Sequence, residues 1–258
     1  MLLARAIVFN LVLYIWTVSV SLVSLPLILA PRPLLWAVGR WWVRGVMTAL
    51  RLIVGLQYEI RGRENVPDGP AIIAAKHQSA WDTLAGAVLV DRPAYVIKRE
   101  LAMIPIWGWL IHRAGCIPVD RAGGAQALRR MTAHARERAA RGQKIIIFPE
   151  GTRTAPRQHR SYHPGVAAIY GALSLPVVPT ALNSGLFWPR RSLRQHPGTV
   201  TVEFLPPIPP GLERKAFMAE LRERIEVATE RLVDEAEERF PAVRAPHLGS
   251  GPVENAVD

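Results

Sequence analysis

The first residues able to do chemistry are a histidine and an aspartate five positions apart, His77 and Asp82. They come directly after an apolar run, Ala71–Ala75, that predicts a strand, and Asp82 falls in the first turn of the helix predicted next. Across that bend the carboxylate can accept from one ring nitrogen and leave the other free to take a proton. Because no Ser or Cys lies in a G-x-S-x-G pattern, the sequence favours a histidine that deprotonates a substrate hydroxyl directly.

The same aspartate has a structural alternative. The stretch from Ser79 to Asp82 also matches a helix capping box, in which the acidic side chain accepts from the backbone at the start of the helix. By spacing alone the two roles compete for one carboxylate, and both interpretations stay open at this point.

A second polar block, Phe-Pro-Glu-Gly-Thr-Arg at 148–153, follows another apolar run. Gly151 lets a ligand approach the backbone closely. Arg153 offers a forked donor suited to phosphate, and Glu150 can accept from ligand hydroxyls. The alternative is an ordinary turn after a strand, with a surface ion pair.

Two further cations lie at predicted strand ends, Lys98 and, within the block 115–121, Arg121. Cations gathered at neighbouring strand ends would form an anion pocket, since bound phosphate relieves their mutual repulsion. Each of them is equally explained as a solvated surface charge. A fourth block, Pro176–Thr180, carries prolines that favour a wall of the site over chemistry.

Composition limits the partners. The chain has 258 residues, half of them apolar, and a net charge of +11, which predicts a folded protein with an acidic partner. No zinc-finger spacing, leucine zipper or RNA-binding aromatic pattern is present, so an anionic membrane surface is favoured over nucleic acid. No second His or Cys lies near His77, so neither a metal nor another cofactor is predicted.

Short apolar runs alternate with helical patterns after residue 56, which predicts an α/β fold with a mainly parallel sheet flanked by helices. The predicted strands are Tyr58–Arg61, Ala71–Ala75, Tyr95–Lys98, Cys116–Val119, Lys144–Phe148, Val177–Leu182 and Thr199–Leu205. The predicted helices are Trp81–Val90, Ile106–Arg113, Gly124–Arg141, Val166–Leu173 and a long amphipathic one at Glu213–Phe240.

The N-terminal region predicts membrane association. Ala6–Ala30 has no charged residue and is long enough to cross a bilayer, which takes about 20 residues. Leu34–Leu56 is also apolar but carries Arg40, Arg44 and Arg51 on one helical face. Since each arginine at mid-bilayer costs about 2.5–3.5 kcal/mol, this second helix is expected to lie in the interface with its tryptophans in the acyl boundary. A cleaved signal peptide and a buried globular hairpin are the alternatives.

Three regions follow from these patterns. Residues 1–56 form a membrane-associated helical hairpin, 57–240 an α/β domain, and 241–258 a Pro/Gly-rich disordered tail. If the first helix crosses an inner or plasma membrane, the arginines after it place the domain on the cytoplasmic side.

Taken in order, the four blocks of residues 57–205 resemble the 1-acyl-sn-glycerol-3-phosphate acyltransferase family, whose H-x4-D block is similar to His77–Asp82. The resemblance implies the glycerolipid acyltransferase fold, with His77 as the base that deprotonates the acceptor hydroxyl and Asp82 orienting its ring. It also implies a phosphate and glycerol site. Its implied residues are Arg153, Lys98, Arg121, Glu150, Gly151 and Thr152. One departure is Lys76, where the family more often has asparagine, and this leaves the acceptor headgroup open.

The activity implied by the resemblance is transfer of a fatty acyl group from acyl-CoA or acyl carrier protein to the sn-2 hydroxyl of lysophosphatidic acid. The product is phosphatidic acid, and no cofactor beyond the thioester co-substrate is implied. Another lysophospholipid or a lyso-aminolipid is an alternative acceptor. A catalytically silent lipid-binding membrane protein is an alternative from a different class.

Overall fold

The computed structural model describes residues 2–26, 30–104, 107–120 and 122–244, and within these ranges seven strands form one sheet. The strands are β1 (Leu56–Arg61), β2 (Ile72–Ala75), β3 (Pro93–Lys98), β4 (Ile117–Val119), β5 (Lys144–Ile147), β6 (Val177–Leu182) and β7 (Gly198–Phe204). Each predicted strand is present, with ends close to the predicted ones. The short, continuous apolar runs predicted them well because most of these strands are covered on both faces.

The sheet has the order β1-β7-β6-β2-β5-β3-β4. Strands β6, β2, β5, β3 and β4 run parallel, while β7 is antiparallel to β6 and β1 is parallel to β7. The prediction of a mainly parallel sheet flanked by helices is confirmed. In such a sheet the carboxyl ends of the parallel strands meet at one edge, so the residues that follow those five strands become neighbours.

Eight α-helices lie within the described ranges. They are α1 (Leu2–Val23), α2 (Arg32–Ala49), α3 (Ala80–Leu89), α4 (Trp107–Ala114), α5 (Gly124–Ala140), α6 (Gly165–Leu173), α7 (Ser184–Phe187) and α8 (Arg214–Arg239). A π-helical segment, Leu50–Val54, extends α2, and 3-10 turns lie at Arg63–Asn65, Arg99–Met103 and Pro241–Val243. Of the helices after residue 56, the short α7 is the one that the sequence did not predict.

The hydrophobic core has a layer on each face of the sheet, because successive strand residues point to opposite faces. Along β5, Ile145 and Ile147 belong to the layer beneath α5, α6 and the first half of α8. Ile146 belongs to the other layer, beneath α3 and the N-terminal hairpin. The sheet is thereby shielded from water and holds its strand ends in fixed positions.

The N-terminal hairpin is packed onto the α/β domain. Phe9 of α1 and Val43 of α2 are fully or almost fully buried in the same core layer as β2 and β6. The indole of Trp36 donates to the carbonyl of Ala114 at 3.0 Å, and that of Trp42 donates to Thr17 Oγ1 at 3.2 Å. These two tryptophans therefore contact protein, which differs from the expectation that the tryptophans of this segment lie in the acyl boundary. One continuous hydrophobic core includes residues on both sides of residue 56, the predicted boundary between the hairpin and the α/β domain.

Helix α1 is long and apolar enough to cross a membrane. Three of its residues, Ala6, Phe9 and Val20, are buried, and Leu11, Tyr14 and Ile15 are among its exposed apolar residues. An exposed apolar face of this size is typical of a surface that contacts lipid or a partner.

The first residues of the predicted disordered tail, 241–258, have a defined structure. Pro241–Val243 forms a 3-10 turn, and Val243 is buried in the core layer of the hairpin. The prediction was wrong here because it relied on the proline and did not foresee that an apolar residue after it could fold back. Residues 245–258 lie outside the described ranges.

Candidate active site

The residues after the five parallel strands meet at one edge of the sheet. Along that edge come Ser184 after β6, His77 after β2, Phe148 after β5, Lys98 at the end of β3 and Asp120 after β4. Strand order, and not chain order, therefore decides which polar groups can act together.

His77 and Asp82 form a hydrogen-bonded pair. The distance from His77 Nδ1 to Asp82 Oδ2 is 2.9 Å, and the aspartate side chain is almost completely buried. The imidazole keeps 14% of its surface exposed. With Nδ1 engaged by the carboxylate, Nε2 is left for a substrate, as the spacing of the two residues predicts.

The carboxylate of Asp82 also accepts hydrogen bonds from backbone amides. Its Oδ2 accepts from the amides of Gln78 at 2.7 Å and Ser79 at 2.8 Å, which completes the capping box at the start of α3. The two roles expected to compete therefore coexist. The helix start fixes the carboxylate, and the carboxylate in turn fixes the imidazole.

Two contacts from α7 complete this arrangement and were not foreseen. The hydroxyl of Ser184 donates to Asp82 Oδ1, and the amide of Gly185 donates to Gln78 Oε1 at 3.0 Å. Ser184 lies 102 residues from Asp82 and carries no motif, so no local signal in the sequence could identify it.

The ring of His77 is also held from the side of β5. It stacks on Phe148, the first residue of the second block, with ring centroids 4.1 Å apart and an angle of 19° between the planes. The carbonyl of His77 accepts from the amide of Thr154 at 2.8 Å. The block that contains His77 and the block at 148–153 are thus in direct contact, and the orientation of the imidazole depends on both.

A cavity of about 300 Å³ opens beside His77. Lys98, Gly151 and His163 line it together with apolar residues such as Met131. Gly151 has φ of +67°, and a side chain there would collide with the ring of His163. The backbone can take this close, left-handed turn because the residue is glycine. His163 had no defensible partner spacing in the sequence and was missed.

The other predicted phosphate ligands are placed differently. The ammonium of Lys98 lies at the cavity and 3.3 Å from Glu100, with both side chains at least half exposed. Arg153 and Thr152 are partly buried outside the described lining of the cavity, and Arg153 has no hydrogen-bond or ion-pair partner among the described residues. Arg121 lies outside the described ranges.

Glu150 was expected to accept from ligand hydroxyls, but it is not among the described residues that line the cavity. Its side chain is fully buried, and its carboxylate lies 2.8 Å from the ammonium of Lys76, which is itself 1% exposed. Burial raises the pKa of Glu150 above its ordinary value, an effect that Lys76 partly opposes. Glu150 is thus a buried partner of Lys76 in this structure, and its contact with ligand hydroxyls stays a prediction. Lys76 is correspondingly not free to bind a headgroup.

A second, mostly apolar cavity of about 410 Å³ lies between the N-terminal hairpin and the α/β domain. Its walls come from both helices of the hairpin and from α3 and α4. It shares four wall residues with the first cavity: Thr83, Tyr95, Ile97 and Leu101. The two cavities are therefore adjacent: the first combines polar side chains such as His77 and Lys98 with apolar ones, and the second is almost entirely apolar.

Comparison with known proteins gives consistent relatives. The family model described as Acyltransferase matches residues 57–183. The chain is 35% identical over 185 residues to a 1-acyl-sn-glycerol-3-phosphate acyltransferase of Pseudomonas aeruginosa, covering 72% of each chain. It is 28% identical to a lyso-ornithine lipid O-acyltransferase of the same organism, covering 76% of this chain and 80% of that one.

A solved structure has the same fold. It is the 1-acyl-sn-glycerophosphate (LPA) acyltransferase PlsC from Thermotoga maritima, with a TM-score of 0.74 and 23% sequence identity. The match covers 90% of this chain and 98% of the other, so the N-terminal hairpin and the α/β domain are compared together.

Proposed function

Since the chain belongs to the 1-acyl-sn-glycerol-3-phosphate acyltransferase family, we propose that it moves a fatty acyl group from acyl-CoA or acyl carrier protein to the sn-2 hydroxyl of lysophosphatidic acid. The product is phosphatidic acid. One observation carries the proposal: His77 lines a cavity while its Nδ1 is paired with a buried carboxylate. That arrangement suits a general base acting on a bound alcohol.

The reaction requires one proton to move twice. Nε2 of His77 takes the proton of the acceptor hydroxyl as its oxygen attacks the thioester carbonyl carbon. The tetrahedral intermediate then collapses, the carbon–sulfur bond breaks, and the imidazolium returns the proton to the departing thiolate. Asp82 stabilises the imidazolium and holds the tautomer. A positioned base of this kind contributes typically about 10²–10⁴-fold to the rate.

The acceptor phosphate is assigned to cations around the first cavity. Lys98 is already at the cavity, and Arg153 has no competing partner among the described residues. Arg121 is assigned to the same group from the resemblance of its block, 115–121, to the family. The backbone at Gly151 and Thr152 completes the site at the point where the chain turns sharply.

Replacing Arg153 with alanine is expected to raise the KM for lysophosphatidic acid by about tenfold or more, because a charge-assisted hydrogen bond to phosphate is worth about 1.5–3 kcal/mol. The KM for the acyl thioester should not change. Initial rates of thiol release at varied acceptor and donor concentrations measure both. Arg130→Ala, at an exposed position of α5, is the control for loss of positive charge. Equal acceptor KM values in the two variants would clear Arg153 of phosphate binding.

The apolar cavity is assigned to the acyl chain of the donor. It is lined almost entirely by apolar side chains, is adjacent to the cavity of His77, and borders the helices that carry the exposed apolar surface. Gly39 of α2 is part of its wall, and a methyl group there would have no described atom within 4 Å. We therefore expect a larger side chain at this position to extend into the cavity.

Gly39→Leu is expected to shorten the preferred acyl chain. Leucine occupies the volume of about four methylene groups, each worth about 0.8 kcal/mol when buried. Activity with a palmitoyl thioester should fall by up to about 200-fold relative to a lauroyl thioester. Competition between the two thioesters measures the ratio directly. Gly171→Leu is the control, since Gly171 is also a helical glycine with open space around it but lies on α6, away from the cavity. An unchanged ratio would assign the acyl chain elsewhere.

A different acceptor is the second candidate, and the similarity to the lyso-ornithine lipid O-acyltransferase supports it. The test is thiol release with one acyl-CoA and a panel that contains lysophosphatidic acid, other lysophospholipids and lyso-ornithine lipid. The proposed function predicts the highest kcat/KM with lysophosphatidic acid. Preference for lyso-ornithine lipid would establish the second candidate. Tight lysolipid binding without thiol release would indicate a silent lipid-binding protein.

The exposed apolar face of α1 is consistent with association with a membrane. We propose the cytoplasmic face of the inner or plasma membrane as its location, because acyl-CoA and acyl carrier protein are water-soluble donors of the cytoplasm. An anionic lipid surface fits the net charge of +11.

A further inference from the structure

A group of charged and polar side chains with a buried centre lies next to His77, and the reaction as derived does not use it. We call it the Lys76 cluster and define it by five residues: Lys76, Glu150, Glu226, His159 and Tyr162. Lys76 is 1% exposed and Glu226 is 9% exposed, so the charges at its centre are removed from water. Such charges are retained only with good pairing.

Glu226 of α8 is the centre of the cluster. Its two carboxylate oxygens lie 2.9 and 2.8 Å from the ammonium of Lys76. The carboxylate also contacts His159 Nδ1 at 2.8 Å and accepts from the hydroxyl of Tyr162 at 2.9 Å. Burial acts to raise the pKa of Glu226, but Lys76 and the hydrogen-bonding partners outweigh it and hold the pKa below its ordinary value. This carboxylate is therefore built to stay charged.

The cluster connects three parts of the chain. Lys76 immediately precedes His77, and Glu150 immediately precedes Gly151. His159 and Tyr162 lie further along the segment 150–163, which runs from the end of β5 to α6 and contains Arg153. Glu226 lies outside the region that the family model matches, residues 57–183. A residue of α8 thus contacts both the histidine strand and the segment assigned to phosphate binding.

A second contact between α8 and the segment 150–163 also joins a side chain of the segment to acidic residues of the helix. Arg157, which has φ of +62°, lies 3.2 Å from Glu230, 2.7 Å from Asp234 and 2.7 Å from Glu237. Three side chains of the segment are therefore held by successive acidic residues of one helix. The segment has no regular secondary structure of its own between Gly151 and Ser161. Side-chain contacts must then fix much of its conformation.

We infer that Glu226, acting through Lys76, His159 and Tyr162, is a positioning residue that sets the distance between the phosphate-binding segment 150–163 and the imidazole of His77. The inference rests on the proposed function for its kinetic consequence but not for its structural one. The acceptor must present its hydroxyl to His77 while its phosphate is bound by this segment. Loosening the segment should weaken acceptor binding and leave the donor, held in the apolar cavity, unaffected.

The test compares Glu226→Ala with Glu223→Ala, an exposed position one turn earlier on α8. Amide hydrogen exchange is measured for the peptide that covers 150–163, and KM is measured for both substrates. For Glu226→Ala we expect exchange of this peptide to rise about tenfold or more, with the rest of the sheet unchanged. The acceptor KM should rise about tenfold and the donor KM should stay constant. Glu226→Gln, which keeps the acceptor oxygen, should recover part of both.

A second variant covers the case in which Glu226→Ala does not fold. His159→Ala with Tyr162→Phe removes the two side chains of the segment that hydrogen-bond to Glu226 and leaves the pairing of Lys76 with Glu226 intact. The same changes in exchange and acceptor KM are expected.

Unchanged exchange at 150–163 overturns the inference. A uniform rise across the chain, or equal rises in both KM values, also overturns it, because the cluster would then only stabilise the fold. If no lysolipid of the panel makes the wild-type protein release thiol, the proposed function fails. The exchange comparison still decides the role of Glu226.

Discussion

His77→Ala is expected to lower kcat for thiol release by about 10²–10⁴-fold, the contribution of a positioned general base. The loss should come without unfolding. Asp82 keeps the amides of Gln78 and Ser79 and the hydroxyl of Ser184 as donors, so no buried carboxylate is left unpaired. The melting temperature and the KM values should therefore change little.

The measurement is steady-state thiol release together with thermal unfolding followed by circular dichroism. His134→Ala is the matched control, since His134 is exposed on α5. Turnover within a few-fold of the wild type would remove His77 from the chemistry. A large fall in melting temperature would instead mean that the ring matters mainly through its stacking on Phe148.

The fold could be predicted because its signals are local. Strand β5 is apolar at 145–147 and buried at every position, and α8 shows apolar residues at steps of three and four. The short α7 could not be predicted, since Asn183-Ser184-Gly185 is typical of a turn and four residues carry no helical period.

The pairing of His77 with Asp82 could be predicted for the same reason, since five residues across one bend leave little freedom. The contacts of Ser184 and of Lys76 depend instead on strand order. Ser184 reaches Asp82 because β6 lies beside β2, and Lys76 reaches Glu150 because β2 lies beside β5. A single sequence gives the strands but not their order across the sheet.

The role expected for Glu150 shows what is lost when the strand order is unknown. A carboxylate directly after a buried strand is a reasonable ligand for hydroxyls when its neighbours are unknown. Here the residue before His77 is a lysine, and its buried ammonium pairs with Glu150 Oε1 at 2.8 Å. The departure from the family pattern at Lys76 was visible in the sequence, but its buried partners were not.

The second large effect is expected for Asp82→Asn, which keeps the shape of the side chain and removes its charge. The amide oxygen can still accept from Gln78 and Ser79, and the amide nitrogen can donate to Ser184. The capping box should therefore survive in part, with a stability loss of about 0.5–2 kcal/mol. The imidazolium formed during the reaction loses its charged partner, and kcat should fall by up to about 10⁴-fold, the size of the equivalent change in serine-protease triads.

Ser184→Ala tests the position of the Asp82 carboxylate separately from its charge. It removes one hydrogen bond from Asp82 Oδ1 and leaves the carboxylate charged and bound to His77. Loss of a hydrogen bond to a charged group is worth about 1.5–3 kcal/mol, so kcat should fall about 10- to 100-fold, less than in Asp82→Asn. Single-turnover thiol release and unfolding midpoints of both variants measure the two effects. If Ser184→Ala lost as much activity as Asp82→Asn at equal stability, orientation of the carboxylate, and not its charge, would be what the imidazole requires. If neither variant lost activity, His77 would act without the pair, and the proposed general base would have to be abandoned.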